Sequence, residues 1–106
     1  MPTRKPPRAP TPAELEQIAA RFKVLGEPMR LKILQAVCHG PRTVSDIVAA
    51  IGATQANVSK HLTLLAAAGI LEREKDGQRV YYGVKDRLCV KLCELVRAQL
   101  PVEHFQ

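Results

Sequence analysis

The sequence predicts a mainly α-helical domain of about five helices carrying one small β-hairpin. Three observations predict it. Helix start and stop signals recur along the chain, each pair bracketing an apolar stripe at helical spacing. Aromatic residues make up 4% of the chain and Trp is absent, so the 46% of hydrophobic residues must build an aliphatic core. Only the stretch from Ile70 to Val84 changes to a period of two, around an Asp-Gly pair.

The chain has 106 residues, which fits one small domain with a modest core and little room for a separate catalytic pocket. No nucleophile stands beside a base, and there is no phosphate loop and no pair of carboxylates at a useful spacing. An enzyme is therefore not expected. The formal net charge is +6 and the pI about 9.6, which favours a polyanionic partner. Part of that charge sits in Arg4, Lys5 and Arg8. No apolar run is long enough to span a bilayer and the first residues lack the apolar core of a secretory signal. The expected location is the cytoplasm, with no membrane partner. Three cysteines, an odd number, argue against a structural disulfide framework.

Residues 1–10, MPTRKPPRAP, are proline-rich and basic without periodicity, and are expected to form a disordered tail. Its charges are either simply solvated or serve as an arm on nucleic-acid phosphates. The folded domain is expected over residues 11–106. Thr11-Pro12-Ala13-Glu14 opens it with a cap, a proline at the first helical position and a Glu three residues past the cap. Leu15, Ile18, Ala19, Phe22 and Leu25 form the stripe of this helix and Gly26 ends it. Glu27-Pro28 restarts a helix to about Cys38, with Arg30 and Lys32 expected on its outer side. His39-Gly40-Pro41 breaks the chain.

Thr43-Val44-Ser45-Asp46 caps a short helix closed by Gly52. Only Gly52-Ala53 separates it from Thr54, the cap of the next helix, which runs toward Gly69. Val58, Leu62 and Leu65 recur at i, i+4, i+7 on the buried side of this second helix. Its other side carries Gln55, Ala56, Ser59, Lys60 and Thr63, with Asn57 and His61 at the margins. These short side chains include one cation and no acid, which suits the base edges and phosphates of a DNA groove. Two capped helices joined by so short a turn form a helix-turn-helix pattern. The plainer alternative is an amphipathic helix with a solvated polar face.

Ile70 to Glu74 and Arg79 to Val84 are expected strands around a turn at Lys75-Asp76-Gly77-Gln78. Following directly on the polar-faced helix, this basic hairpin reads as a two-stranded wing, with Arg73, Lys75, Gln78 and Arg79 placed to reach phosphates or the minor groove. Asp86 caps a last helix that Pro101 ends. Its broad apolar face (Leu88, Cys89, Leu92, Cys93, Leu95, Val96, Leu100) needs a partner surface. With the first helix it makes the seam of a homodimer.

Several blocks, in order, carry a family resemblance. They are Leu25-Gly26-Glu27-Pro28-Met29-Arg30-Leu31-Lys32-Ile33-Leu34, Thr43-Val44-Ser45-Asp46-Ile47, Gln55 to Leu65, Ala68-Gly69-Ile70-Leu71, and the Gly77 hairpin ending Val80-Tyr81-Tyr82. Together, from Thr11 to Leu100, the chain resembles the ArsR/SmtB family of bacterial winged helix-turn-helix repressors. The resemblance implies a dimeric transcriptional repressor that binds inverted-repeat operator DNA and leaves it on sensing an inducer. It implies DNA contacts at Gln55, Ala56, Ser59 and Lys60, with Val44 on the supporting helix; Thr54 and Asn57 join them at the start of the second helix. No cofactor is expected to be required for DNA binding.

The sensing sites of well-known members are missing. Thiol-based sensors often carry Cys-x-Cys where this chain has Thr43-Val44-Ser45. In the zinc-type site Asp86 matches the first ligand, but Leu88, Gln99 and Val102 occupy the others. Cys38, Cys89 and Cys93 remain. Cys89 and Cys93 stand at i, i+4 on one helical face, and Cys38 ends a helix that can lie nearby. Three readings stay open. One is a thiophilic inducer such as As(III) or another soft metal ion; one is redox or persulfide sensing; the last is plain burial of small apolar groups in a regulator without an inducer. A winged-helix protein-interaction module is the competing function class.

Overall fold

Thr11 does what its place before Pro12 predicts. In the computed structural model, which describes residues 8–102, its hydroxyl accepts from the Glu14 N–H at 3.1 Å. The Glu14 carboxylate in turn accepts from the Thr11 N–H at 2.9 Å. This reciprocal cap opens α1 (Pro12–Leu25). α2 (Pro28–Val37) starts behind Glu27, whose carboxylate takes the Met29 N–H. α3 (Val44–Ile51) and α4 (Gln55–Ala67) start behind Thr43 and Thr54, each hydroxyl accepting at 3.2 Å from the amide three residues on. α5 (Arg87–Gln99) starts behind Asp86, which accepts from the Leu88 N–H at 3.0 Å.

The sheet has one strand more than the sequence predicts. β1 (Arg42–Thr43) pairs with β3 (Arg79–Val84), which pairs with β2 (Leu71–Asp76); the order is β1-β3-β2 and both pairings are antiparallel. Arg42 faces Tyr82 and Thr43 faces Tyr81. Two residues are too short to show a period, so β1 leaves no signal in the sequence. The hairpin is also tighter than expected. Asp76 still pairs with Arg79, leaving Gly77-Gln78 as a two-residue loop. Gly77 has φ +65°, the left-handed region that the first position of such a turn needs.

The core is drawn from the middle of the chain. Ile33 and Val37 of α2, Ile47 of α3, Val58, Leu62 and Leu65 of α4, and Ile70 and Leu71 entering β2 are all buried. Each such side chain contributes about 1.5–3 kcal/mol. α1 gives this core only Leu25, and α5 only Cys89. Val24, Val90 and Cys93 pack half-buried against it, while Leu15, Ile18 and Phe22 on α1, and Leu88, Leu95 and Val96 on α5, are each more than two-fifths exposed. The winged helix-turn-helix body is thus complete without these two faces.

Most of the tail expected to be disordered, residues 1–7, lies outside the described residues. Arg8 is tied down: its guanidinium donates to both Glu14 carboxylate oxygens, at 2.6 and 2.7 Å. No described helix is long and apolar enough to cross a membrane.

Candidate nucleic-acid interface

α4 is anchored from below. Val58, Leu62 and Leu65 are fully buried, which fixes the roll of the helix and turns the opposite side outward. Thr54, Gln55, Ala56, Asn57, Lys60 and Thr63 are exposed, and Ser59 is half-buried. The Thr63 hydroxyl donates to the Ser59 carbonyl at 3.0 Å, folding it back on the helix. No acid occupies this surface, and the positive end of the helix dipole lies at Gln55 and Ala56. Behind it, Gly52 takes φ +77°, closing α3 and turning the chain into α4. Val44 is half-buried against the core, so it shows only part of its side chain at the start of α3.

Two residues differ from their expected places. His61 is buried, not at the margin of the polar face. Arg30 is half-buried, not outward: Nε donates to His61 Nδ1 at 3.2 Å and Nη1 donates to the Val24 carbonyl at 3.1 Å. The reason is visible in the period. His61 falls at i+3 between Val58 and Leu62, inside the buried stripe, and a half-buried neighbour supplies its hydrogen bond.

The wing's charges do not form one basic patch. Side chains alternate along a strand, so Arg73 and Lys75 share one face with their partners Tyr82 and Val80. Arg79 lies on the other face, opposite Asp76 and with Glu72 and Glu74. Gln78 is at the tip. All four candidate wing residues are exposed.

The candidate sensing thiols are only partly gathered. The end of α2 does reach α5, since Arg87 donates to the Cys38 carbonyl at 3.0 Å. Yet among the described residues no three His, Cys, Asp or Glu side chains cluster closely enough to hold a metal ion. A centre joining Cys38, Cys89 and Cys93 is therefore not formed within one chain. Cys89 is buried, its sulfur 3.7 Å from Asp86 Oδ2. Burial first, then the negative charge of Asp86, pushes its thiol pKa up; burial alone does the same for Cys93. Both thiols are held protonated.

Residues missed in the sequence join these elements. Arg21 of α1 donates from Nη2 to Asp86 Oδ2 at 2.8 Å and from Nη1 to the carbonyl of Ala68, the C-cap of α4. No spacing rule connects positions so far apart in the chain.

Known proteins share this fold. The family model described as bacterial regulatory protein, arsR family, matches residues 27–73. The probable mercury resistance operon repressor of Streptomyces lividans is 37% identical over 76 residues, covering 72% of this chain and 61% of that protein. This chain therefore spans less than two thirds of that relative's length. The HTH-type transcriptional regulator CmtR of Mycobacterium tuberculosis is 34% identical over 93 residues, covering 86% of this chain and 79% of CmtR. Among solved structures, the homodimeric winged helix-turn-helix DNA-binding domain Mb0332 from Mycobacterium bovis, a possible ArsR-family transcriptional regulator, is similar with a TM-score of 0.75. It is 31% identical, and the match covers 89% of this chain and 91% of that one.

Proposed function

The chain belongs to the ArsR family of bacterial regulatory proteins, and from that premise we propose that it is a repressor which binds inverted-repeat operator DNA as a homodimer. One observation carries the reading. The outward side of α4 is polar and free of acids, while Val58, Leu62 and Leu65 hold the helix rigidly to the core. Gln55, Ala56, Asn57, Ser59 and Lys60 then face the major groove, with Thr54 and Val44 at the edge and the Arg73, Lys75, Gln78 and Arg79 wing beside it. The exposed faces of α1 and α5 support the dimer: a two-fold seam covers them and presents α4 to two half-sites about 34–36 Å apart. A protein-interaction module needs no acid-free surface there.

The inducer that the side chains favour is a thiophilic ion taken by Cys89 and Cys93. Two thiols from one chain make an incomplete site for As(III), so any further ligand comes from the partner copy, solvent or the ion's own hydroxide. The mercury repressor among the relatives is consistent with a soft ion. Burial of Cys89 also suits a packing role, and arsenite release of the wild type but not of the Cys89→Ser, Cys93→Ser variant separates the two.

The experiment titrates the reduced protein on its own promoter fragment. Specific binding that weakens steeply with salt, and release by arsenite, mercury(II) or cadmium, are the expected results. Leu95→Lys alters a side chain that is 57% exposed in the single chain. It should leave a folded monomer by sedimentation and abolish tight operator binding. Salt-insensitive binding, or an unaltered dimer, would overturn the reading.

A further inference from the structure

We propose that Arg21 is a positioning residue for operator binding, fixing the angle between the seam helix α1 and the DNA-facing helix α4. The inference rests on the operator-binding reading above and adds to it a residue that touches no DNA.

The guanidinium joins three elements at once. It stands on α1, donates to the Ala68 carbonyl at the end of α4, and donates to Asp86, the cap of α5, at 2.8 Å. The carbonyls of a helix's last turn lack partners within the helix, and a cation there is favoured by the dipole. The planar fork of Arg serves two acceptors in fixed directions, which a Lys ammonium on a flexible stem does not. Little else orients α1. Its packing on the body is confined to its last turn, where Leu25 is buried and Val24 half-buried against the core, and its other side-chain hydrogen bond to the body is Arg30 on the Val24 carbonyl. In a dimer sealed by α1 and α5, the body that carries α4 hangs from the seam through such links.

Small angles matter at that radius. With half-site centres about 34 Å apart, each α4 rides about 17 Å from the two-fold axis, and a tilt of roughly 10° moves it about 3 Å, close to one base-pair step. A strap between α1 and the end of α4 therefore sets the half-site spacing the dimer accepts.

The test compares wild type with Arg21→Gln and Arg21→Lys on the operator and on versions with one base pair added or removed between half-sites. Wild type should prefer its own spacing by about tenfold. Arg21→Gln should remain dimeric and bind, but lose most of that preference, and Arg21→Lys should not restore it. Asp86→Asn, which keeps a competent cap, should move selectivity the same way if Arg21→Gln does not fold. Undiminished spacing preference in Arg21→Gln overturns the inference, as does wild-type behaviour of Arg21→Lys. An affinity loss that higher protein concentration reverses, with spacing preference intact, also overturns it, because the role is then only in the seam. A wild-type chain indifferent to operator sequence instead sinks the proposed function itself.

Discussion

Arg30 on α2 donates from Nε to Nδ1 of His61 on α4 across 3.2 Å. Nδ1 is thus the accepting nitrogen, and the proton sits on Nε2, a tautomer assigned from this bond. Nε2 faces Glu27 Oε2 at 3.6 Å, close enough for attraction and too long for a hydrogen bond; that oxygen is buried with no hydrogen-bond partner. His61 is therefore the polar contact between the cap of α2 and the middle of α4. Replacing it by Ala removes the acceptor for Arg30 and leaves Glu27 more isolated. We expect a loss of about 1–3 kcal/mol in urea unfolding. An unchanged midpoint would show that the pair contributes nothing.

What the sequence revealed and what it hid follow from distance along the chain. Thr11, Thr43, Thr54 and Asp86 cap through atoms two or three residues away, so residue type and position disclosed them. The α4 stripe was legible for the same reason, and it contained the clue to His61 at i+3. Arg73, Lys75 and Arg79 all stand at odd positions, so alternation alone groups them; the two-residue loop that sets Asp76 opposite Arg79 is what puts Arg79 on the other face. Arg21 and Asp86 lie 65 positions apart, and β1 spans two residues. Neither produces a local pattern; only the assembled fold defines them.

Glu14 should titrate far below an ordinary carboxylate. The Arg8 guanidinium first, and the Thr11 amide second, lower its pKa from 4.5 to about 2. The sign follows from the depression: the contribution to stability is present above pH 4.5 and is lost as pH falls toward 2. The pair is exposed, so salt should weaken it. Carboxyl NMR in Arg8→Ala should show the midpoint rising, short of the ordinary value because the Thr11 amide remains. An ordinary midpoint in wild type would mean that Arg8 does not hold this position in solution.

The three thiols should separate by reactivity. Cys89 is 1% exposed, whereas Cys38 and Cys93 are half-buried, so a maleimide should reach Cys89 last. Raised thiol pKa values stabilise the fold at neutral pH, and that contribution fades as pH climbs past the ordinary thiol value of 9.0. For sensing, Cys89→Ser with Cys93→Ser should keep operator binding and lose release by arsenite. Cys38→Ser should keep both. Release of the double variant by arsenite would remove Cys89 and Cys93 from arsenite sensing.

Lys60 distinguishes the kind of DNA contact that α4 makes. It is exposed, and none of the ion pairs among the described residues uses it. Its removal should therefore leave folding untouched. If its ammonium meets a phosphate, Lys60→Ala weakens binding to operator and unrelated duplex alike. The slope of log affinity against log salt then shrinks by about 0.9. If it meets a base edge, the loss falls on the operator alone, by about 1–3 kcal/mol at one position. Ser59→Ala, on the same side of the helix but half-buried, should cost less because its hydroxyl is only partly presented. Fluorescence anisotropy over a salt series reads all of these outcomes together. Unchanged affinity and slope in both variants would mean that DNA meets some other surface of the domain, since no other residue from Gln55 to Thr63 carries a formal positive charge outward.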